Sequence, residues 1–128
     1  MSSNSSVVIF GSGSIGKRHY GVANSIPNCD VFIHSRNNLR NIELAKKGFK
    51  IFDFSKKCDL GIIASEANNH KNDFCNNFSF ARKWIIEKPI VSIYDEFEEE
   101  LFDIFKKEKT TISYNKRFEL GIQELRKI

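Results

Sequence analysis

Three glycines at the spacing of a phosphate-binding loop follow the first apolar run, residues 7–10. The loop is Gly11-Ser12-Gly13-Ser14-Ile15-Gly16, and a stretch with helical spacing of apolar residues comes after it. In such loops the first glycine allows a tight turn, the second lets the backbone approach a pyrophosphate, and the third lets helix pack on strand. The helix N-terminus then favours the negative charge. The pattern predicts dinucleotide contacts from Gly11, Gly13, Ser14, Ile15 and Gly16. The alternative is a plain strand–turn–helix junction with accidental glycines.

The end of the second apolar run, residues 31–34, bears on which dinucleotide fits. NAD-binding chains usually carry Asp or Glu there, about 20 residues after the loop, whereas a nearby Arg accommodates the 2′-phosphate of NADP. Here Ser35 and Arg36 follow the run, and Asp30 precedes it at the wrong end. Ser35 can donate a hydrogen bond, and Arg36 can form charge-assisted contacts with a phosphate. We therefore expect NADP to be slightly preferred to NAD. The alternative is that Arg36 stacks on the adenine or faces solvent.

Two further motifs follow apolar runs in the second half of the chain. Glu87-Lys88-Pro89 ends the run at residues 84–87, and Tyr114-Asn115-Lys116-Arg117-Phe118 ends the run at residues 111–114. Together with the glycine loop and the Lys17-Arg18-His19 behind it, these motifs resemble the Gfo/Idh/MocA oxidoreductases. That family includes glucose–fructose oxidoreductase and inositol dehydrogenase. The resemblance covers the chain after Ser6, and Glu-Lys-Pro is its more specific part.

The resemblance implies NAD(P)-dependent oxidation or reduction of a hydroxyl or carbonyl carbon on a sugar, sugar nucleotide or polyol, and so a role in carbohydrate metabolism. It makes Lys88 the catalytic residue, beside the nicotinamide and the substrate. Glu87 would orient Lys88 or touch the cofactor, and Asn115 would contact the cofactor cleft. An ammonium at the carboxyl end of a strand can polarise a substrate oxygen or relay its proton. The alternative for Lys88 is a surface lysine that begins a loop.

The segment Ala64-Ser65-Glu66-Ala67-Asn68-Asn69-His70 occupies the place of the family's Thr-Pro-x-x-x-His stretch. The resemblance therefore makes Ser65 and His70 cofactor contacts. His70 matches the pattern, but Ser65-Glu66 replaces the usual Thr-Pro. A single histidine at the start of a helix is otherwise more often structural than functional.

Short apolar runs that alternate with helix-length segments must position these residues. Such runs are typical of strands buried on both faces of a parallel sheet. The six runs are residues 7–10, 31–34, 50–52, 60–64, 84–87 and 111–114. Helical spacing predicts one apolar face made of Ile15, His19, Val22, Ala23 and Ile26, and a second made of Leu39, Ile42, Ala45 and Phe49 with Gly48 at its end. A third helix is predicted between Pro89 and Thr110. The predicted fold is α/β, a doubly wound, mainly parallel six-stranded Rossmann sheet with helices on both faces.

The predicted organisation is a flexible lead at residues 1–6, an NAD(P)-binding Rossmann domain at 7–114, and a connector with one helix at 115–128. Family members continue into a second α/β domain that binds substrate and commonly forms the oligomer interface. The resemblance thus implies a sugar-type small-molecule substrate and a homo-oligomer, with the second domain absent from this chain. We expect the chain alone to be inactive. The alternatives are a truncated, non-catalytic NAD(P)-binding or interaction module, and another two-domain Rossmann enzyme such as an imine or biliverdin reductase.

Composition argues against several other classes of protein. The 20 basic and 16 acidic residues are interspersed, which leaves a net charge of +4 and no patch for nucleic acid. The opening Met-Ser-Ser-Asn-Ser-Ser lacks positive charge and the apolar run behind it is short, so we expect neither a signal peptide nor a membrane span. The three cysteines share no close spacing, which argues against disulfides and a metal site and suits a reducing compartment. We therefore expect a cytoplasmic protein without a metal.

Overall fold

The computed structural model describes residues 4–87 and the backbone of residues 110–113. The strands are β1 (Ser5–Phe10), β2 (Cys29–His34), β3 (Cys58–Ile63), β4 (Ala81–Glu87) and β5 (Thr110–Ser113). The helices are α1 (Ser14–Asn24), α2 (Asn38–Lys46) and α3 (His70–Asn77), with 3₁₀ turns at Ala67–Asn69 and Phe78–Phe80. No helix in this part of the chain is long and apolar enough to cross a membrane.

The described strands form one parallel sheet in the order β2-β1-β3-β4-β5. The predicted α/β fold with a parallel sheet is confirmed. The predicted count of six strands is wrong, because the sheet has five strands within the described residues. The run at residues 50–52 makes only an isolated parallel bridge, between Ile51 and Ile33 of β2. That bridge lies on the outer edge of β2, which is the position of the third strand in the Rossmann order.

The apolar run at residues 50–52 makes only one bridge because the chain turns immediately after it. The Lys50 carbonyl accepts a hydrogen bond from the N–H of Ile33 (2.9 Å). Asp53 then closes a turn, since its carboxylate accepts from the backbone N–H and the hydroxyl of Ser55 (3.0 and 2.6 Å). Phe54, between them, has a φ of +63°. Asp side-chain turns and left-handed residues both interrupt extended structure, so a longer strand cannot form here.

Both faces of the sheet are covered, as the continuous apolar runs predict. Side chains of β1 alternate between two core clusters: Val7 and Ile9 in the cluster with α1 and α2, and Val8 and Phe10 in the cluster with α3. The first cluster also contains Tyr20, Ala23, Val31, Ile33 and Leu44, and the second contains Phe52, Phe74, Trp84 and Ile86. The helices therefore flank the sheet on both sides, which holds the carboxyl ends of the strands in fixed relative positions.

The buried face of α1 differs from the predicted one. Most of the predicted apolar stripe is exposed: Ile15 by 51%, Val22 by 62% and Ile26 by 53%. Ala23 is buried as predicted, but the residues buried with it are Gly16 and Tyr20, and the Tyr20 hydroxyl accepts from the N–H of Lys50 (3.1 Å). A Cβ on Gly16 would overlap the carbonyl of Gly11. This close contact with the loop sets the rotation of the helix, so apolar periodicity does not decide which face is buried.

The predicted face of α2 is likewise wrong, although its predicted end is confirmed. Leu39 is 71% exposed and Ile42 is 52% exposed, whereas Leu44 is fully buried. The helix begins at a cap in which the Asn37 side chain accepts from two backbone N–H groups of the first turn (2.9 and 3.3 Å). Gly48, with a φ of +96°, follows its last turn. The capping residues thus fix the limits of α2 and thereby the side chains that it turns towards the sheet.

At its amino end, the strand β1 begins before the predicted domain boundary. Ser5 and Ser6 belong to β1, and the N–H of Ser6 donates to Asp59 Oδ2 (2.9 Å). The predicted lead at residues 1–6 is therefore too long by these two serines. The predicted helix between Pro89 and Thr110 and the predicted connector at 115–128 lie outside the described residues.

Candidate functional site

A cleft of about 620 Å³ lies at the carboxyl ends of β1, β2 and β3. The chain passes from β1 to β2 on one side and from β3 to β4 on the other. This edge is therefore the topological switch point of the sheet, where ligands bind in open α/β folds. The lining comprises residues 10–15, 34–37 and 64–66 with Phe54, Asn69, Asp73, Asn76 and Asn77. It includes seven of the predicted cofactor contacts, Gly11, Gly13, Ser14, Ile15, Ser35, Arg36 and Ser65.

The three glycines of the loop occupy different surroundings. Gly11 has a φ of +124°, and a Cβ there would stand 2.5 Å from backbone atoms of Ala64 and Ser65. A Cβ on Gly16 would overlap the loop itself. In contrast, a Cβ on Gly13 would meet no atom of residues 4–87 within 4 Å. The protein's own packing thus requires glycine at the first and third positions, whereas at the second position a side chain would project into open space beside the cleft.

The amino end of α1 opens on the same cleft. Its N-cap residue is Gly13, which makes no side-chain hydrogen bond to the helix, and no acidic residue is present in the first turn. The first N–H groups of a helix lack partners within the helix. These donors and the helix dipole together favour an anion, so a phosphate group is the ligand chemistry that this end of the cleft fits.

Ser35 and Arg36 lie where β2 ends, and both already have partners. The Ser35 hydroxyl accepts from the N–H of Asn37 (3.2 Å). Arg36 reaches across the cleft, with its Nε donating to Asp73 Oδ1 (2.9 Å) and its Nη1 donating to Asn69 Oδ1 (2.5 Å). The guanidinium of Arg36, which the sequence predicts to meet a 2′-phosphate, therefore lies in the cleft. There it is already paired with the carboxylate of Asp73.

That acidic partner, Asp73 on α3, is missed by the sequence analysis. It is only 6% exposed, and its second carboxylate oxygen accepts from the Ser65 hydroxyl (2.5 Å). The sequence contains no acid directly after β2, yet the fold supplies one from a residue 37 positions further along the chain than Arg36. No local pattern signals this contact, because it depends on how α3 packs beside β2.

Arg40 is a second basic residue that the sequence analysis overlooked. It is in the first turn of α2, where its Nε donates to the Ser12 hydroxyl and its Nη2 donates to the Ser12 carbonyl (both 3.3 Å). It also pairs with Glu43 at 3.4 Å. A signal for it existed, because Arg36 and Arg40 are four residues apart and bracket the start of a helix. The two guanidinium groups stand at the β2 end of the cleft and at the glycine loop.

Ser65 and His70 lie at the same loop but play different parts in it. His70 is 2% exposed and is not in the cleft lining. Its Nε2 is 2.6 Å from the Ser65 carbonyl oxygen, to which it donates. The ring therefore holds the turn between β3 and α3, and Ser65 faces the cleft with its hydroxyl turned to Asp73. A direct cofactor contact by either residue stays a prediction.

Glu87, the last residue of β4, is fixed by a partner on α1. His19 Nε2 donates to Glu87 Oε1 (2.8 Å), and both side chains are partly buried. This contact ties the first residue of the Glu-Lys-Pro motif to the helix that follows the glycine loop. Lys88, the predicted catalytic residue, and Asn115 lie outside the described residues.

His34 closes β2 beside the cleft and packs edge-on against Phe10 and Phe54 (centroids 6.1 and 4.9 Å apart). Burial lowers the pKa of His34 below its usual 6.5, and the negative charge of Asp73 opposes this shift. At neutral pH the imidazole is therefore uncharged, so His34 adds no positive charge to the β2 end of the cleft.

No protein-family model and no curated protein matches this sequence. Solved structures do. A UDP-N-acetylglucosamine 3-dehydrogenase from Acidithiobacillus ferrooxidans matches with a TM-score of 0.72 and 18% identity over 95% of this chain and 42% of that one. A Gfo/Idh/MocA family oxidoreductase from Vibrio cholerae matches with a TM-score of 0.71 and 15% identity, over 97% and 44%.

A third similar structure is the WlbA dehydrogenase from Chromobacterium violaceum in complex with NADH and UDP-GlcNAcA. It has a TM-score of 0.72 and 14% identity, over 99% of this chain and 40% of that one. At these identities the likeness is one of fold. The chain spans well under half the length of the proteins that it matches. The predicted resemblance to Gfo/Idh/MocA oxidoreductases is confirmed for the fold, and this chain corresponds to their amino-terminal portion.

Proposed function

We propose that this chain is the cofactor-binding portion of an NAD(P)-dependent oxidoreductase of the Gfo/Idh/MocA type. The observation that carries the proposal is the glycine loop at the switch point of the sheet. Packing demands glycine at positions 11 and 16, but no atom of the described residues occupies the space beside Gly13. A pyrophosphate against the backbone is the ligand that such a space accommodates. The similar structures of a UDP-N-acetylglucosamine 3-dehydrogenase and of a dehydrogenase in complex with NADH and UDP-GlcNAcA support the reaction class.

The residues present fit a dinucleotide along the cleft. The N–H groups at the start of α1 would hold the pyrophosphate, and Ser35 with Arg36 would hold the adenosine ribose. Ser65 and the end of β4 would lie towards the nicotinamide. When bound, NAD(P) supplies or accepts a hydride. Arg36 and Arg40 together support a slight preference for NADP, because a 2′-phosphate gains charge-assisted hydrogen bonds from guanidinium groups.

The proton of the reaction is assigned to Lys88, which directly follows β4. A lysine at the carboxyl end of a strand can, as an ammonium, donate a hydrogen bond to a substrate oxygen and return a proton to it, and, as the neutral amine, take that proton. His19 contributes indirectly, because its 2.8 Å hydrogen bond holds Glu87 and so constrains the backbone from which Lys88 extends. The proposed substrate is a sugar, sugar nucleotide or polyol, which reacts at a hydroxyl or carbonyl carbon. The wider proposal includes a homo-oligomer.

Free thiols at Cys29 and Cys58 support a reducing compartment such as the cytoplasm. Burial raises the pKa of the Cys58 thiol, which makes it unreactive. Cys58 therefore enters the proposal only as a core residue and not as a nucleophile.

Two glycine-to-valine variants test cofactor binding. Both Gly13 and Gly21 have no atom within 4 Å of an added Cβ, so neither substitution collides with the protein's own packing at that atom. Only Gly13 lines the cleft. Titration with NADH and NADPH, followed by nucleotide fluorescence, should show binding to the unmodified chain and to Gly21→Val and its loss in Gly13→Val. Equal binding by all three proteins, or no binding by the unmodified chain, would overturn the proposal.

A further inference from the structure

We propose that Asp73 sets how strongly this site discriminates between a 2′-phosphorylated adenosine nucleotide and its unphosphorylated counterpart. This inference rests on the proposed function, because it concerns the adenosine end of the same cofactor site. It begins from the contact between Arg36 Nε and Asp73 Oδ1, which measures 2.9 Å. Arg36 is the group predicted to meet a 2′-phosphate, and the structure gives it a carboxylate partner before any ligand arrives.

The acid, and not the arginine, is the rigid member of this pair. The Asp73 side chain is 8% exposed, whereas that of Arg36 is 50% exposed. The Ser65 hydroxyl holds the second carboxylate oxygen of Asp73 at 2.5 Å, and Asn77 Nδ2 donates to the Asp73 carbonyl at 2.7 Å. Asp73 therefore stays in place and determines where the guanidinium of Arg36 lies.

This pairing has two opposite consequences for a 2′-phosphate. Asp73 and Asn69 occupy the Nε and Nη1 donors of Arg36 and orient its plane across the cleft. The Nη2 donor has no protein partner among the described residues and stays available to a ligand. The carboxylate also offsets the charge of the guanidinium, so an incoming phosphate experiences less attraction than a lone arginine would exert.

The remaining charges around the cleft do not restore that attraction. Glu66 adds a second carboxylate to the lining, and His34 is neutral at pH 7 because burial lowers its pKa. Arg40 is the other nearby cation, and its hydrogen bonds go to Ser12 of the glycine loop. The balance explains why the preference for NADP should be slight, and it identifies Asp73 as the residue whose charge limits that preference.

Asp73→Asn isolates the charge, because asparagine keeps an oxygen that can accept from Arg36 Nε. The probes are adenosine 2′,5′-bisphosphate and 5′-AMP, which differ only by the 2′-phosphate. Calorimetric titration of the whole chain should show the ratio of their affinities shift by about fivefold towards the bisphosphate in Asp73→Asn. Glu66→Gln is the matched control, since it removes a carboxylate from the same lining that is not paired with Arg36. It should shift the ratio by less than about twofold.

Asp73→Ser, which also removes the charge, serves if Asp73→Asn does not fold, as judged by circular dichroism. An unchanged affinity ratio in the folded charge-removing variant would overturn the inference, and so would an equal shift in Glu66→Gln. In both cases the nucleotides still bind, so the proposed function survives. If neither nucleotide bound the unmodified chain, the proposed function would fail, and the inference about Asp73 would fail with it.

Discussion

Replacing Gly11 by alanine tests the claim that packing, and not only ligand binding, requires the first glycine of the loop. An alanine there would adopt a φ of +124°, and its Cβ would stand 2.5 Å from the Ala64 carbonyl carbon and the Ser65 nitrogen. Both neighbours are backbone atoms at the end of β3, which lies in the centre of the sheet. They cannot move aside as a flexible side chain could.

The expected loss of stability follows from two contributions. A backbone conformation that is nearly restricted to glycine costs about 1–3 kcal/mol. Forcing extra volume into packed structure costs a further 1–3 kcal/mol or so. Together they predict that Gly11→Ala lowers the free energy of unfolding by about 4 kcal/mol, which for a chain of this size corresponds to a fall in melting temperature of about 15 °C.

Gly13→Ala is the matched control, because its added Cβ meets nothing within 4 Å and Gly13 has a φ of −75°. Alanine is a poorer N-cap than glycine but restricts the unfolded chain, so the net change should stay within about 1 kcal/mol. Urea unfolding can be followed by the fluorescence of Trp84, which is the single tryptophan and is 1% exposed. If Gly11→Ala unfolded at the same urea concentration as Gly13→Ala, the packing explanation of the first glycine would be refuted.

Three other changes have defined outcomes. Asn37→Ala removes the side chain that caps α2 and should cost about 1 kcal/mol in urea unfolding, whereas Asn38→Ala, one residue inside the helix, should cost less. His19→Ala leaves the largely buried Glu87 without its partner and should cost about 1–3 kcal/mol, part of which His19→Gln recovers because an amide can also donate. Because burial lowers the pKa of His34 in the folded protein, the unfolded chain binds a proton first as pH falls below about 6.5. Stability should therefore decrease from pH 7 to pH 5, and less so in His34→Phe; an equal decrease in both proteins would contradict this account.

The β2 end of the cleft contains a contact that the sequence around β2 does not reveal. Directly after β2 the sequence carries Ser35 and Arg36 and no acid. The folded chain places Asp73 against Arg36 from a different helix. The arginine in the cleft was predicted, but the carboxylate that offsets its charge was not. A preference between NAD and NADP depends on the summed charge of the groups around the site. It therefore cannot be inferred from the residues that follow β2 alone.

Helix orientation shows the same limit. Apolar spacing in α1 predicts that Val22 and Ile26 are buried, yet both are exposed and Tyr20 is buried in their place. Periodicity identifies a helix from repeated contacts along one face. In α1 the backbone of Gly16 packs directly against the backbone of Gly11. This contact prevents the helix from rotating about its axis, and it therefore outweighs the preference to bury the apolar face.

The sequence alone determined the features that depend on local chemistry. The glycine loop, the buried parallel strands and the glycine at the end of α2 were all predictable, because each follows from the conformations that a short segment permits. Only the tertiary structure decided the features that join distant segments. These are the Arg36–Asp73 pair and the His19–Glu87 contact. Such contacts arise from the packing of helices against a common sheet, and no spacing within one segment encodes them.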